Sequence, residues 1–340
     1  MDLLTFVPLP VRPPPGVCNR DALGRLSGRG VAVCPDLGLL VISSYNKLQV
    51  FVLPEDIARG EVGSPRELAP TRTLGGVAPM EFHFDSRPDS GLMAFTDGCG
   101  VSLTSLLLVT DAGNEAVHVI DVVHGVHMGY VAAPGTILHP RGVATRKSLA
   151  AVTCWETGCG HVVRVFEGSG ATWTAVRGIA GGFFWPCGLR FTADGLRLLV
   201  ADSYNQRLSI FCARDGPLLR HIDLGVNVNV MDVEECGSGW VMCHSRGLVA
   251  VADNANAEET GIGARSKNLD SHYYPLALAT VPGLGLVVRH ETGVQFLATP
   301  DAVAMAAMSF CKVAWMAAVC RGTILRRATI WVSTKKHCFS

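Results

Sequence analysis

The stretch Trp185–Asp223, WPCGLRFTADGLRLLVADSYNQRLSIFCARDGPLLRHID, decides how the chain is read. It holds four apolar runs of strand length: Gly188–Phe191, Leu196–Ala201, Arg207–Cys212 and Leu218–Asp223. Between them lie turn signals at Thr192–Gly195, Asp202–Gln206 and Arg214–Gly216. Two of these contain Asp-Gly, where Gly accepts a positive φ and Asp bonds its own backbone. Four such strands joined by tight turns make an antiparallel meander, one blade of sheet.

The same layout recurs outward from this stretch. Gly30–Phe51 repeats it, with Ser43-Ser44-Tyr45-Asn46 set against Asp202-Ser203-Tyr204-Asn205. A second unit opens at EFHFD, residues 81–85, and continues as Leu106–Asp121. Pro140–Gly168 is the third, Val230–Val251 a degenerate fifth and Tyr274–Ala298 the sixth. First strands are expected near residues 30, 82, 141, 187, 229 and 275, the later ones about 43–46 residues apart. Four strands at that period define a β-propeller, and six units predict an all-β fold of six four-stranded antiparallel blades. With 49% apolar and 17% charged residues, the composition supplies a large core.

The motif P-x-G-[LV]-x-[VF]…D-G-x-x-L-V-[AT]-D-x-x-N-x-x-[LV]-x-[VI]-F resembles the NHL repeat. Trp185–Asp223 matches it almost throughout, units one to three in part, and units five and six by hydrophobic pattern. The resemblance covers residues 28–298 and implies a six-bladed propeller. It is similar to those of NHL-containing ubiquitin ligases, of RNA-binding NHL proteins and of the peptide-amidating lyase.

The flanks depart from the repeat. Residues 1–27 read as an N-terminal strand and a proline-rich spacer. Leu3–Val11 supplies an edge strand that closes the ring, where Pro8 and Pro10 are tolerated. In 299–320, Thr299-Pro300-Asp301 is a helix start and an Ala/Met-rich helix is expected; a strand closing the last blade is the other reading. Ala302–Cys320 is nearly all apolar, but Lys312 costs a few kcal/mol at a bilayer centre, which favours a helix lying on the propeller over a membrane span. Residues 321–340 form an irregular basic tail of five Lys and Arg with no acid. Without it the body carries 24 basic against 29 acidic residues, a poor electrostatic match for nucleic acid.

The twelve cysteines include no C-x-x-C and no pair of pairs at zinc spacing. They read as free thiols of a reducing compartment, and the N-terminus lacks the pattern of a signal peptide, so a cytoplasmic location is expected.

Meander topology places the turn after each second strand at the same end of the ring as the link into the next blade. Asn46, Asn114 and Asn205 therefore share a face with Arg141, Trp185 and Cys187. Asp111-x-x-Asn114 and Asp202-x-x-Asn205 read as turn hardware, whereas Tyr45 and Tyr204 offer a ring and a hydroxyl to a partner. Arg141, Arg146 and Lys147 form a basic cluster in the sequence, joined by Arg190 and Arg207 from unit four. The amidating lyase resembled above holds zinc with histidines, which draws attention to His83, His139, His161, His244 and His290; His124 and His127 are not at a tight metal spacing on a strand. Six-bladed calcium-dependent lactonases give a second comparison, through Asp232, Glu234 and Glu235. No G-x-S-x-G nucleophile motif occurs, and Gly261-Ile-Gly263 is no phosphate loop.

The expected function is non-catalytic binding of a protein or peptide on this face, with no catalytic residue, metal or cofactor. Tyr45, Asn46, Asn114, Arg141, Trp185, Tyr204, Asn205 and Arg207 are the candidate contacts. The alternatives are a metal-dependent hydrolase or lyase using the central channel, the substrate-recognition part of a ubiquitin ligase, and an RNA binder.

Overall fold

Leu198 and Val200 pack into one apolar cluster, Leu199 and Ala201 of the same strand into another, and all four are buried. This alternation explains why the strands read as continuous apolar runs: both faces of each sheet are covered. The architecture comes from a computed structural model, which describes residues 7–9, 30–44, 47–53, 70–75, 93–95, 106–225, 228–236, 239–244, 247–252, 275–281, 285–290 and 293–298.

The described residues form antiparallel sheets and no helix. Strand β1 (Val7–Leu9) belongs to the last sheet. β2 (Val31–Cys34), β3 (Leu39–Ser44), β4 (Lys47–Val52) and β5 (Arg72–Gly75) make one blade. β6 (Met93–Phe95), β7 (Leu107–Asp111), β8 (Ala116–Asp121) and β9 (Val126–Ala132) make the next. β10 (Val143–Arg146), β11 (Leu149–Glu156), β12 (Gly160–Ser169) and β13 (Thr172–Ile179) follow. Then come β14 (Pro186–Phe191), β15 (Arg197–Asp202), β16 (Arg207–Cys212) and β17 (Leu218–Asp223), within two residues of the runs read from the sequence. β18 (Val230–Cys236), β19 (Gly239–His244) and β20 (Gly247–Ala252) form a sheet of three described strands. β21 (Pro275–Val281), β22 (Gly285–His290) and β23 (Gly293–Ala298) are completed by β1, which pairs antiparallel with β23. Val7–Leu9 and Gly293–Ala298, far apart in the sequence, thus share one sheet.

The arrangement is a propeller, but five blades have four strands where six were expected. The degenerate fifth unit accounts for the difference, because its described strands number three. A second correction concerns unit two. Its first strand was expected near residue 82, whereas the strand paired with Leu107–Val109 is Met93–Phe95; residues 81–85 lie outside the described residues. The expected helix at 299–320 and the tail at 321–340 lie outside the described residues.

Apolar clusters fill the spaces between neighbouring sheets. Val163, Leu198 and Phe211 join the third and fourth blades, and Leu199, Ile210, Val233 and Trp240 join the fourth to the three-stranded sheet. Hydroxyls pin the blades where their innermost strands begin. Thr110 Oγ1 donates to the Arg141 carbonyl at 2.6 Å, and Thr153 Oγ1 donates to the Cys187 carbonyl at 2.7 Å. The two are equivalent positions of successive units. Thr153 Oγ1 also accepts from the Gly142 N–H at 2.7 Å. Such close approach requires glycine: a Cβ at Gly142 would collide with the Cys187 carbonyl, and one at Gly188 with the Asp232 carboxylate. This is the physical content of the Gly in the P-x-G motif.

Thr153 is fully buried and serves a donor and an acceptor at once. Thr153→Val should leave both backbone groups without that partner and cost about 2–4 kcal/mol, read as a lower urea midpoint at unchanged m-value.

Candidate partner-binding face

The fourth blade assembles a platform from a turn and a link. Asp202, fully buried at the end of β15, is the hub. Its Oδ1 accepts the Phe184 N–H at 2.9 Å, and its Oδ2 accepts Asn205 Nδ2 and Arg207 Nε, each at 2.8 Å. Asn205 Nδ2 also donates to the Gly182 carbonyl, and the Tyr204 N–H donates to the Phe184 carbonyl. The turn 203–206 and the link 180–185 are therefore one rigid unit.

Four rings and a guanidinium stand on it. Trp185 and Tyr204 are stacked, 5.7 Å between centroids and 6° between planes. Arg141, from the neighbouring blade, lies over Trp185 with its Cζ 3.8 Å from the ring centroid. Phe184 meets Tyr204 edge-on at 5.3 Å, and His161 meets Trp185 edge-on at 5.4 Å. Arg141 is only 6% exposed, while Phe184 and Tyr204 are 53% and 46% exposed. The charge is held inside and the apolar rings face out. Burial, and then the Arg141 charge, lower the His161 pKa, so this imidazole is neutral at pH 7.

Trp185 adopts φ 61°, a left-handed conformation that is rare for a bulky residue. Pro186 follows it and disfavours the ordinary helical alternative. Such strain costs of order 1–3 kcal/mol, and clusters where function needs a fixed side chain.

Beyond His161 the face continues to Trp155, 36% exposed and placed opposite His161 in the β11–β12 register. Trp155 borders a cleft of about 660 Å³ whose lining includes Leu138, Glu156, Arg164 and Phe166. Arg164 and Glu156 form an ion pair at 2.5 Å there.

The candidates read from the sequence are distributed as follows. Arg141, Trp185 and Tyr204 come together in one stack. Asn205 and Arg207 belong to the Asp202 scaffold. Asn114 is turn hardware of the second blade, donating to Asp111 from its N–H at 3.0 Å and from Nδ2 at 2.9 Å. Tyr45 and Asn46 lie outside the described residues. The basic cluster is split. Arg141 precedes β10, whereas Arg146 ends it and packs beside Gly195, at the opposite end of the blades. Phe184, Trp155 and His161 were not among the expected contacts. The signal for Phe184 was present in Gly181-Gly182-Phe183-Phe184-Trp185, an aromatic run in a link that buries Phe183 but leaves Phe184 outside.

The acids compared with lactonase ligands tie innermost strands together. Asp232 accepts the Val233 and Leu278 N–H groups, both at 2.9 Å, and so links β18 to β21. Glu234 pairs with Arg190 of β14. Among the described residues no group of three or more His, Cys, Asp and Glu is placed to hold a metal ion. His83 and the side chain of His290 lie outside them. No described helix is long and apolar enough to cross a membrane.

No protein-family model matches the chain, and a search of curated proteins finds no significant match. The functional reading therefore rests on the residues themselves.

Burial raises Asp232 to about 6 and Glu234 to about 7, with Arg190 pulling both back. Both carboxyls hold a proton more tightly folded than unfolded. The folded state then binds the excess protons between about pH 4 and 7, and stability falls as pH rises through that window. Glu234→Gln should remove on the order of 2 kcal/mol of this slope, measured by urea unfolding at pH 4.5, 6 and 7.5.

Proposed function

We propose that the chain is a non-catalytic NHL-type propeller, with unit five as its sixth blade, that binds a protein or peptide partner in the cytoplasm. The contact surface is the face carrying Phe184, Trp185 and Tyr204. The observation that carries this reading is the Arg141–Trp185–Tyr204 stack with its exposed Phe184 edge. Aromatic residues and Arg are the types enriched in interface centres, because they bury large area at little entropy cost. This platform is already ordered by the Asp202 hub, so docking a partner onto it costs little further ordering. The neighbouring cleft beside Trp155 has room for a partner side chain.

The test is capture from the source cell's lysate with the intact chain and with Phe184→Ala/Tyr204→Ala. Both residues are about half exposed, so the double variant should keep its melting midpoint within about 2 °C. Proteins held through this face should be depleted more than tenfold. Equal capture by both chains overturns the reading, and capture abolished by ribonuclease transfers the face to RNA, whose bases also stack on aromatic rings.

A further inference from the structure

A second polar cluster lies in the blade formed by β6–β9. Asp111, fully buried at the end of β7, meets His118 of β8: Nε2 to Oδ2 is 3.1 Å. On the other side of the same imidazole, Nδ1 is 3.1 Å from His127 Nε2 of β9. The Tyr130 ring packs against both imidazoles, at 5.2 and 4.8 Å. His118 is 2% exposed, and His127 is half-buried and reaches solvent.

The backbone is irregular where these groups meet. In the β8–β9 pairing His118 opposes Tyr130 and Ile120 opposes His127, with register shifts at Val117/His118 and Val119/Ile120. Residues three apart on a regular strand, such as His127 and Tyr130, project from opposite faces. The extra residue, Met128, turns both toward the face that carries His118. Bulges re-aim side chains in this way and are over-represented beside functional sites.

We propose that His118 Nδ1 and His127 Nε2 bind one divalent cation of the zinc class between β8 and β9, with Asp111 orienting His118 from behind and water completing the shell. Three features support it. Two metal–nitrogen bonds of about 2.0–2.1 Å place their nitrogens roughly 2.9 Å apart at a right angle and roughly 3.4 Å apart at the tetrahedral angle, and the 3.1 Å observed lies between. Asp111 accepts from His118 Nε2–H, which leaves the Nδ1 lone pair directed at His127; a carboxylate behind a ligating histidine is the usual outer support of such sites. Asp111 is itself fixed by the Asn114 N–H and Nδ2, so the orientation is set before any ion arrives. Imidazole pairs suit zinc, copper and nickel rather than magnesium or calcium. The ion would join the outermost strand of the blade to its neighbour.

The test uses the full chain, stripped with a chelator and titrated with Zn²⁺ against a chromophoric competitor. The wild type should take up one equivalent more than His127→Gln. Its thermal midpoint should rise by about 4 °C at a hundredfold excess over Kd, and this rise should vanish in the variant. Asp111→Asn should keep the stoichiometry and weaken binding about 10–100-fold. Independently of any variant, Zn²⁺ should slow carbethoxylation of His127 in the wild type more than tenfold, followed by mass spectrometry. Equal uptake by wild type and His127→Gln, or an unchanged modification rate, overturns the proposal and leaves the pair as an N–H···N hydrogen bond.

Discussion

Two-sided burial is the constraint on which the structure depends. Each sheet has apolar residues on both faces, and neither face has a partner within its own unit. The alternating side chains of β15 show the consequence: Leu198 and Val200 go to one neighbour, Leu199 and Ala201 to the other. No sheet can be removed without exposing two cores, so stability is a property of the ring rather than of any blade. β1 serves the same end, since its pairing with β23 ties the start of the chain to the last sheet.

Polar groups inside this frame are used as connectors. Thr110 and Thr153 carry hydrogen bonds from one blade to the entry of the next, and Asp232 does so by accepting from the Leu278 N–H. Asp111 and Asp202 occupy equivalent turn positions, yet their surroundings divide their roles. Asp202 spends its oxygens on Phe184, Asn205 and Arg207 and so builds the aromatic platform. Asp111 faces His118 instead. One repeated residue therefore supports two different side-chain groups, because neighbouring side chains decide what its second oxygen meets.

The platform concentrates unusual features in one place: a tryptophan with positive φ, a buried guanidinium over its ring, and exposed rings beside it. Strain and exposed apolar area are both costs to folding. Their coincidence on one face is what separates this end of the blades from the other, where Arg146 packs beside the Gly195 turn.

The sequence alone determined the strand positions of the best-matching unit and the face on which its turns lie. Turn residues and apolar runs are local signals, and meander connectivity converts them into a shared face. It also marked Asp111 and Asp202 as turn residues that accept turn backbone N–H groups, which Asp111 does from Asn114, whereas Asp202 accepts the Phe184 N–H of the link instead. It did not resolve the innermost strand at Met93–Phe95, whose three residues are too few for a periodic signal. Nor did it separate Arg141 from Arg146, five positions apart but at opposite ends of β10. Only the tertiary structure decided which residues meet across blades: Arg141 on Trp185, Glu234 on Arg190, and His118 on His127 across a bulge. Those contacts depend on inter-sheet spacing and strand register, and neither is encoded in the short-range pattern that identifies a strand.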